Sequence, residues 1–500
     1  KDAAMKSDAR MGTHPIIQPI SDVLQASQAF DEITYSKGAA VIRMLEDYLG
    51  EEPFRDGVRA YMRKHAYGNT VTDDLWAELD KSSGKPVSLV AHDFTLLPGV
   101  PLIRVAETSN GIQLSPSRFA VDESGKQALT WHIPVTVAKA DGSVLWRGLV
   151  SEKPEAIETA AGQAVIVNAG QAGYYRTLYA PGLFATIANG FASLSAYDQM
   201  GLLSDYAALG SAGVVPATDV LELVGRAKSD MDPKVLGNVV GQVSRVVSLL
   251  KDTPDAVRAK AYGRNVLTPM LATLGWDAKH GEDNNIGVLR SQILVTLGGD
   301  IADPSIIAEA RKRFVTFLAD HNSLSADLRG VVFGIVARHA TAADWDALHK
   351  LARETDNSME KREYYVYLGI ADDKALIHKA LDLTLTDEMP VTIRPAMVSV
   401  VAGDNSEQAF DFATTHMGDF DKLLEPSSRN QFYVRLAMGS HEPEMIRKLE
   451  VFGAAHVPET ARAILVKAKA MITQSIKVRN DVIPTYRVWL NKSCKTDMCN

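Results

Sequence analysis

Phe30-Asp31-Glu32-Ile33-Thr34-Tyr35-Ser36-Lys37-Gly38-Ala39 is the stretch on which the reading of this chain turns. Beyond Thr34 the apolar residues Val41, Ile42, Leu45, Tyr48 and Leu49 recur at the spacing of one helical face, and Gly50 stands where a left-handed C-terminal cap is wanted. An amphipathic helix therefore follows Tyr35. Phe54, Val58, Tyr61, Met62 and His65 mark a second helix. Thr72 with Asp73 and Asp74 reads as the cap of a third, its acids at the positive end of the dipole, and Ser82-Ser83-Gly84-Lys85-Pro86 breaks it. Taken alone, a tyrosine ahead of such a helix reads as a core or surface residue, because tyrosine is common in partly buried positions.

From Pro98 the apolar period changes from helical to two. Trp131, Ile133, Val135 and Val137 alternate with His132, Pro134, Thr136 and Ala138, the pattern of a strand with one buried face. Asp141-Gly142 predicts a two-residue type I′ hairpin, in which both turn positions need positive φ. Several short strands up to about Pro181 suffice for a small β-sandwich. Beyond Gly182 the helical period returns, as in Leu328, Val331, Val332, Ile335 and Val336 or Ala461, Leu465, Ala468 and Ile472. Breaks such as Ser211-Ala212-Gly213 and Asp303-Pro304-Ser305 divide this segment into helices of ordinary length, which predicts stacked helical hairpins of the α-solenoid kind.

Composition bounds the function. The chain has 500 residues, more than one hydrophobic core usually serves, with 46% hydrophobic and 23% charged residues, the range of soluble globular proteins. Its formal net charge of -8 is spread out, with no basic stripe to suit a phosphate backbone, so nucleic acid is not an expected partner. No run approaches the length of a transmembrane helix, and the first residues lack the apolar core of a signal peptide. The chain starts at Lys1 and its first methionine is Met5, so the true N-terminus is expected upstream. Two cysteines, Cys494 and Cys499, lie in a polar tail and form neither a zinc ribbon nor a disulfide framework.

Motif chemistry is mostly absent. There is no H-E-x-x-H, no G-x-x-x-x-G-K-[ST] and no G-x-S-x-G. His441-Glu442-Pro443-Glu444-Met445 begins like a zinc helix, but methionine stands at the second ligand position and proline interrupts the turn, so it reads as a loop and helix start.

The segment 30–39 does, however, closely resemble the stretch that follows the zinc motif in the aminopeptidase N and puromycin-sensitive aminopeptidase family. There a tyrosine in a Tyr-x-Lys-Gly context donates its phenolic hydrogen to the oxygen that becomes negative when zinc-bound water attacks the scissile carbonyl; Tyr35 matches it. A phenol suits that task, being neutral at pH 7, rigid, and able to aim one donor at a developing oxyanion. The likeness continues along the chain. Met5-Lys6-Ser7-Asp8-Ala9, His14-Pro15-Ile16, Leu49-Gly50-Glu51-Glu52, Tyr61 to Asn69, Asp74-Leu75-Trp76 and Pro98-Gly99-Val100-Pro101 resemble the family's catalytic domain. Arg118-Phe119, Trp131-His132-Ile133-Pro134 and Asn168 to Arg176 resemble its β-sandwich, where Tyr174 and Tyr175 read as core residues. Asp198-Gln199-Met200-Gly201-Leu202-Leu203, Leu274-Gly275-Trp276-Asp277 and Leu289-Arg290 resemble its helical domain. Pro116, Phe94 and Gln199 replace the family's usual glutamine, tryptophan and arginine, all at structural positions.

This resemblance implies a multidomain, mainly α protein with a β-sandwich. Residues 1–97 would be the C-terminal part of a thermolysin-like metallopeptidase domain, 98–182 the β-sandwich, and 183–500 an α-helical, HEAT-like domain. It further implies zinc as cofactor, bound by residues upstream of this chain together with the general base. A peptide would be the substrate and the upstream segments the partners, and Tyr35 is the one catalytic group carried over. Expressed alone, the chain is expected to be inactive. The alternative is a non-catalytic scaffold for protein interaction derived from the same family, against which the retained Tyr35 argues.

Overall fold

A computed structural model describes residues 1–22, 26, 29–160 and 162–493, so Cys494 and Cys499 lie outside the described residues. The protein is mostly helical, with two small sheets confined to the stretch between Val100 and Tyr179. It divides into two compact units, Lys1–Lys228 and Ser229–Asn500.

In the first unit the helices predicted from periodicity form as Gly38–Leu49, Glu51–Lys64 and Thr72–Ser83. The first buries Val41, Met44, Leu45 and Leu49, whereas Ile42, expected on the apolar face, is 36% exposed. Gly50 takes φ +91° and Gly84 φ +65° at the helix ends, conformations that glycine adopts without a Cβ penalty. The third helix takes in Thr72, its expected cap, as its first residue. Asp74, not Thr72, closes its N-terminus, accepting the Val71 N–H at 2.9 Å.

Seven strands follow: β1 Val100–Thr108, β2 Gly111–Phe119, β3 Ile133–Lys139, β4 Val144–Val150, β5 Glu155–Glu158, β6 Val165–Val167 and β7 Arg176–Tyr179. One sheet has the order β5-β2-β1-β7 and the other β4-β3-β6. All pairs are antiparallel except β1 with β7, where Leu102 lies opposite Arg176 and Val105 opposite Tyr179. The β3–β4 hairpin forms, but not with the type I′ turn. Only Gly142 of the Asp141-Gly142 pair has positive φ, the Gly142 N–H bonds to the Lys139 carbonyl, and the register slips between Val137 and Ala138. This is the three-residue loop with a left-handed glycine and a bulge, which spares Asp141 the positive φ that a type I′ turn would demand.

The second unit is a succession of helices. Ala326–Arg338 buries all five of the residues that announced it. Asp303 caps Pro304–Ala319 through its Oδ1, which accepts the Ser305 N–H at 3.0 Å. Arg290, itself buried, donates to the Gly275 carbonyl at 3.0 Å beyond the end of helix Ala256–Leu274 and to Glu282 Oε2 at 2.6 Å. The His441 segment is a loop leading into helix Pro443–His456, with proline at its first position. Among the described residues, no helix is long and apolar enough to cross a membrane.

Two measurements probe this packing. Helices Glu51–Lys64 and Thr72–Ser83 meet at Gly57, where an added Cβ would stand 2.5 Å from Ser82 Oγ, 2.7 Å from Leu79 Cδ2 and 3.2 Å from the Glu78 carbonyl oxygen. Gly57→Ala gains up to about 1 kcal/mol of helix propensity, but overpacking costs about 1–3 kcal/mol. A net loss of stability is expected in denaturant unfolding; a more stable variant would show that the contact yields freely.

Beside β7, a cavity of about 620 Å³ is lined by Val105, Tyr179, Phe184, Tyr206, Val214 and Asp219 among others. Burial, and then the Glu222 carboxylate, push the Asp219 carboxyl up to about 6. A carboxyl raised in the folded state holds its proton more tightly there than in the unfolded chain. Its penalty is therefore absent below the unfolded value near pH 4 and fully present above about pH 6. Asp219→Asn should raise the melting temperature of this unit by about 2 °C at pH 7.5, the group being partly solvent-screened, and by nothing at pH 4. An equal effect at both pH values would refute the linkage.

Candidate functional site

The residues around Tyr35 are held by side chains from far along the chain. Ile33–Lys37 is a single π-helical turn running directly into helix Gly38–Leu49, with the Gly38 N–H bonded to the Ile33 carbonyl. Such turns are rare and occur mostly as one-turn bulges, frequently at functional sites. Asp31 caps this one. Its Oδ1 accepts the Ile33 N–H at 2.8 Å and the Thr34 N–H at 3.4 Å, while its Oδ2 lies 3.2 Å from His14 Nε2. The Thr34 hydroxyl donates to the Ala29 carbonyl at 2.5 Å, closing the turn from the other side. His14 is fixed in its own right, with Nδ1 2.8 Å from the Pro15 carbonyl oxygen.

Tyr35 is the third residue of the turn and stands 62% exposed, its ring tilted against Phe30 with centroids 6.3 Å apart. Lys37, two residues on, is completely buried. Its ammonium lies 2.9 Å from Asp8 Oδ2, donates to the Leu97 carbonyl at 3.0 Å, and stands 5.5 Å from the centroid of the Tyr174 ring. Burial lowers the proton affinity of this ammonium and the Asp8 carboxylate works against that loss. Asp8, equally buried, accepts three further hydrogen bonds: from the Thr13 hydroxyl at 2.6 Å, the Gly99 N–H at 2.7 Å and the Tyr174 hydroxyl at 3.2 Å. Gly99 has φ +102°, a conformation that favours glycine, and a Cβ there would stand 3.0 Å from Arg118 Nε.

A second buried charge cluster lies at the start of β7. The Arg176 guanidinium donates to Asp2 at 2.7 Å, to the Ser204 hydroxyl at 2.7 Å and to Asp205 at 3.1 Å, and the other Asp205 oxygen accepts the Thr177 N–H at 3.0 Å. Tyr174 and Tyr175 are core residues, as their sequence reading has it. Two of the three replaced family positions are buried as well: Phe94 meets Tyr174 edge-on at 6.4 Å, and Gln199 donates to the Phe191 carbonyl at 2.9 Å.

Tyr35, the one site residue read from sequence, is thus an exposed phenol on a fixed turn. Asp8, Lys37, Asp31 and His14 were quoted in the sequence but given no role there, because the contacts that join them to one another and to Tyr174 reach across 17 to 166 residues. One signal was available: Lys37 stands four residues before Val41 on the stripe that faces the core, where a charge demands a partner. No group of three histidine, cysteine, aspartate or glutamate side chains suited to hold a metal exists among the described residues. The described donor set therefore does not fit a catalytic zinc ion.

A family model described as "ERAP1-like C-terminal domain" matches residues 164–473, and one described as "Peptidase family M1 domain" matches residues 1–94. Aminopeptidase M1 of Arabidopsis thaliana is 31% identical over 410 residues, 77% of this chain and 46% of that protein. Aminopeptidase M1-D of Oryza sativa is 29% identical over 87% of this chain and 52% of its own length. Tricorn protease-interacting factor F2 of Thermoplasma acidophilum is 32% identical over 68% of this chain and 42% of its own length. The chain spans about half the length of the curated relatives it matches. With one profile covering the turn that carries Tyr35 and the other most of the remainder, the chain belongs to peptidase family M1.

Proposed function

We propose that this chain is part of a zinc-dependent aminopeptidase that releases N-terminal residues from peptides, and that Tyr35 stabilises the oxyanion of the tetrahedral intermediate. The observation that carries the reading is the exposed phenol of Tyr35 on a capped π turn, in a chain whose relatives include aminopeptidases by name. Attack of water on the scissile carbonyl puts negative charge on the carbonyl oxygen. A phenolic O–H aimed at that oxygen stabilises the transition state more than the bound peptide, which is what accelerates the step. The zinc ligands and the general base come from beyond the described residues, and no step through the metal is assigned to side chains here. For organisation we propose the divisions 1–97, 98–182 and 183–500, with the two sheets packed as a sandwich and the helices of the last part stacked in HEAT-like pairs.

Tyr35→Phe in the intact enzyme is expected to lower kcat by about 10²- to 10³-fold, the usual loss for one preorganised oxyanion donor, with zinc content and melting temperature retained. The phenyl ring keeps whatever packing the tyrosine supplies, so a structural role would show as lost stability with near-normal kcat in the folded fraction. A kcat within about threefold of wild type, small against that loss, would sink the assignment.

A separate expectation concerns the metal. Because the described residues offer no donor set, these 500 residues purified alone should carry no stoichiometric zinc by elemental analysis. One zinc per chain would reveal ligands that the described geometry does not contain.

A further inference from the structure

Tyr35 and Lys37 leave the same turn on nearly opposite faces, because two residues of a helical backbone rotate through about 160° to 200°. The consequence is visible in their burial: the phenol is 62% exposed and the ammonium not at all. We propose that the buried Lys37–Asp8 pair is a positioning device for the Tyr35 hydroxyl, an inference that rests on reading Tyr35 as the oxyanion donor.

Three observations carry it. A π turn has no strong intrinsic preference and persists only where its surroundings over-determine it. Asp31 holds the start of this turn from outside, through the Ile33 and Thr34 N–H groups, and Lys37 holds its last residue from inside. Secondly, the anchor is directional. The Lys37 ammonium is tied to Asp8 Oδ2 and the Leu97 carbonyl, and Asp8 is in turn tied to the Gly99 N–H, so the turn is referenced to the backbone on both sides of Pro98. Thirdly, stability alone does not call for this choice. Apolar residues of similar volume usually serve a core as well as a buried ion pair or better, whereas what an ion pair adds is a fixed geometry. A catalytic hydroxyl has use for that geometry, since a displacement of about 1 Å at a reacting group costs on the order of 10²-fold in rate.

Lys37 and Asp8 are accordingly positioning residues, acting on the reaction through Tyr35 and not by contact with the peptide. The test is a double-mutant cycle in the intact enzyme that carries this chain. One arm is Asp8→Asn with Lys37→Met, which removes both charges at similar volume and leaves neither stranded. The other is Tyr35→Phe, and the third protein combines all three changes; kcat, KM and melting temperature are read on each. The charge-free pair should lower kcat by about 10- to 100-fold with KM within about twofold of wild type. Added to Tyr35→Phe it should lower kcat no further, because the hydroxyl it would misplace is already gone. A purely structural pair would give losses that multiply, or a lower melting temperature at unchanged kcat, and either result overturns the positioning role. If Tyr35→Phe loses activity while the folded charge-free pair keeps it, the reading of Tyr35 stands and this inference falls. If Tyr35→Phe itself keeps its kcat, both fall. Should the charge-free pair not fold, Lys37→Arg takes its place in the cycle, since it keeps the buried charge but not the hydrogen-bond geometry. The same coupled loss of kcat is expected from it, and an independent loss overturns the proposal.

Discussion

The carboxylate of Asp8 governs how the first unit can be assembled. A fully buried carboxylate is costly unless nearly every lone pair is met, and here four donors meet it: an ammonium, two hydroxyls and a backbone N–H. Those donors come from positions 13, 37, 99 and 174, and Asp8 itself ends the helix Asp2–Asp8, so that helix, the Tyr35 turn, the entry to β1 and the approach to β7 are joined at one point. The β1–β7 pairing serves the same end. Setting Leu102 opposite Arg176 in parallel register brings Tyr174 beside Gly99, which no hairpin connection would do across that separation.

Because the constraint is chemical as well as steric, it explains landmarks that looked unrelated along the chain. The lead-in ending at Asp8-Ala9, the Tyr-x-Lys-Gly segment, the Pro98-Gly99 turn and the Asn168–Arg176 loop are the four parts of one buried polar junction. Asp198 extends it, since its Oδ1 accepts the Gly170 N–H at 2.9 Å and its Oδ2 accepts the Ser195 hydroxyl at 2.6 Å. In the second unit Arg290 plays a comparable part on its own, reaching the Gly275 carbonyl and Glu282 from helix Asn284–Val295. Each of these residues has a specific buried partner, and that, without any catalytic role, is reason enough for its chemistry.

How much of this was legible follows from what periodicity measures. Apolar spacing reports where helices form, and so Gly38–Leu49, Glu51–Lys64 and Ala326–Arg338 were readable, whereas β3, read as a strand with one buried face, also buries Pro134 and Ala138 of the other face. Turn geometry was less so. Asp141-Gly142 announces a hairpin, but loop length and bulge are settled by how the flanking strands pair, and the pairing slipped by one residue. Thr72 reads as the cap of Thr72–Ser83 from sequence, but the capping bond is made by Asp74, whose carboxylate reaches back to the Val71 N–H. Tyr35 was singled out through its surroundings, and the structure adds only its exposure on a capped turn, whereas the Asp8–Lys37 pair was not seen, since partners 29 positions apart leave no local trace beyond a charge out of place on an apolar stripe.

That stripe makes the case for Tyr35 from the opposite direction. Ile33, Lys37, Val41, Met44, Leu45 and Leu49 form one continuous buried line, and within it a lysine occupies a position that packing would give to leucine or methionine. Two residues away, a tyrosine that packing would draw inward is left 62% exposed, its ring tilted against Phe30. The ordinary preference for aromatic inside and lysine outside is reversed at both positions of the same turn. Core packing among the described residues accounts for neither half of the reversal. The role proposed for Tyr35 accounts for both: a phenol presented outward, on a backbone secured from within by a group that has direction as well as volume.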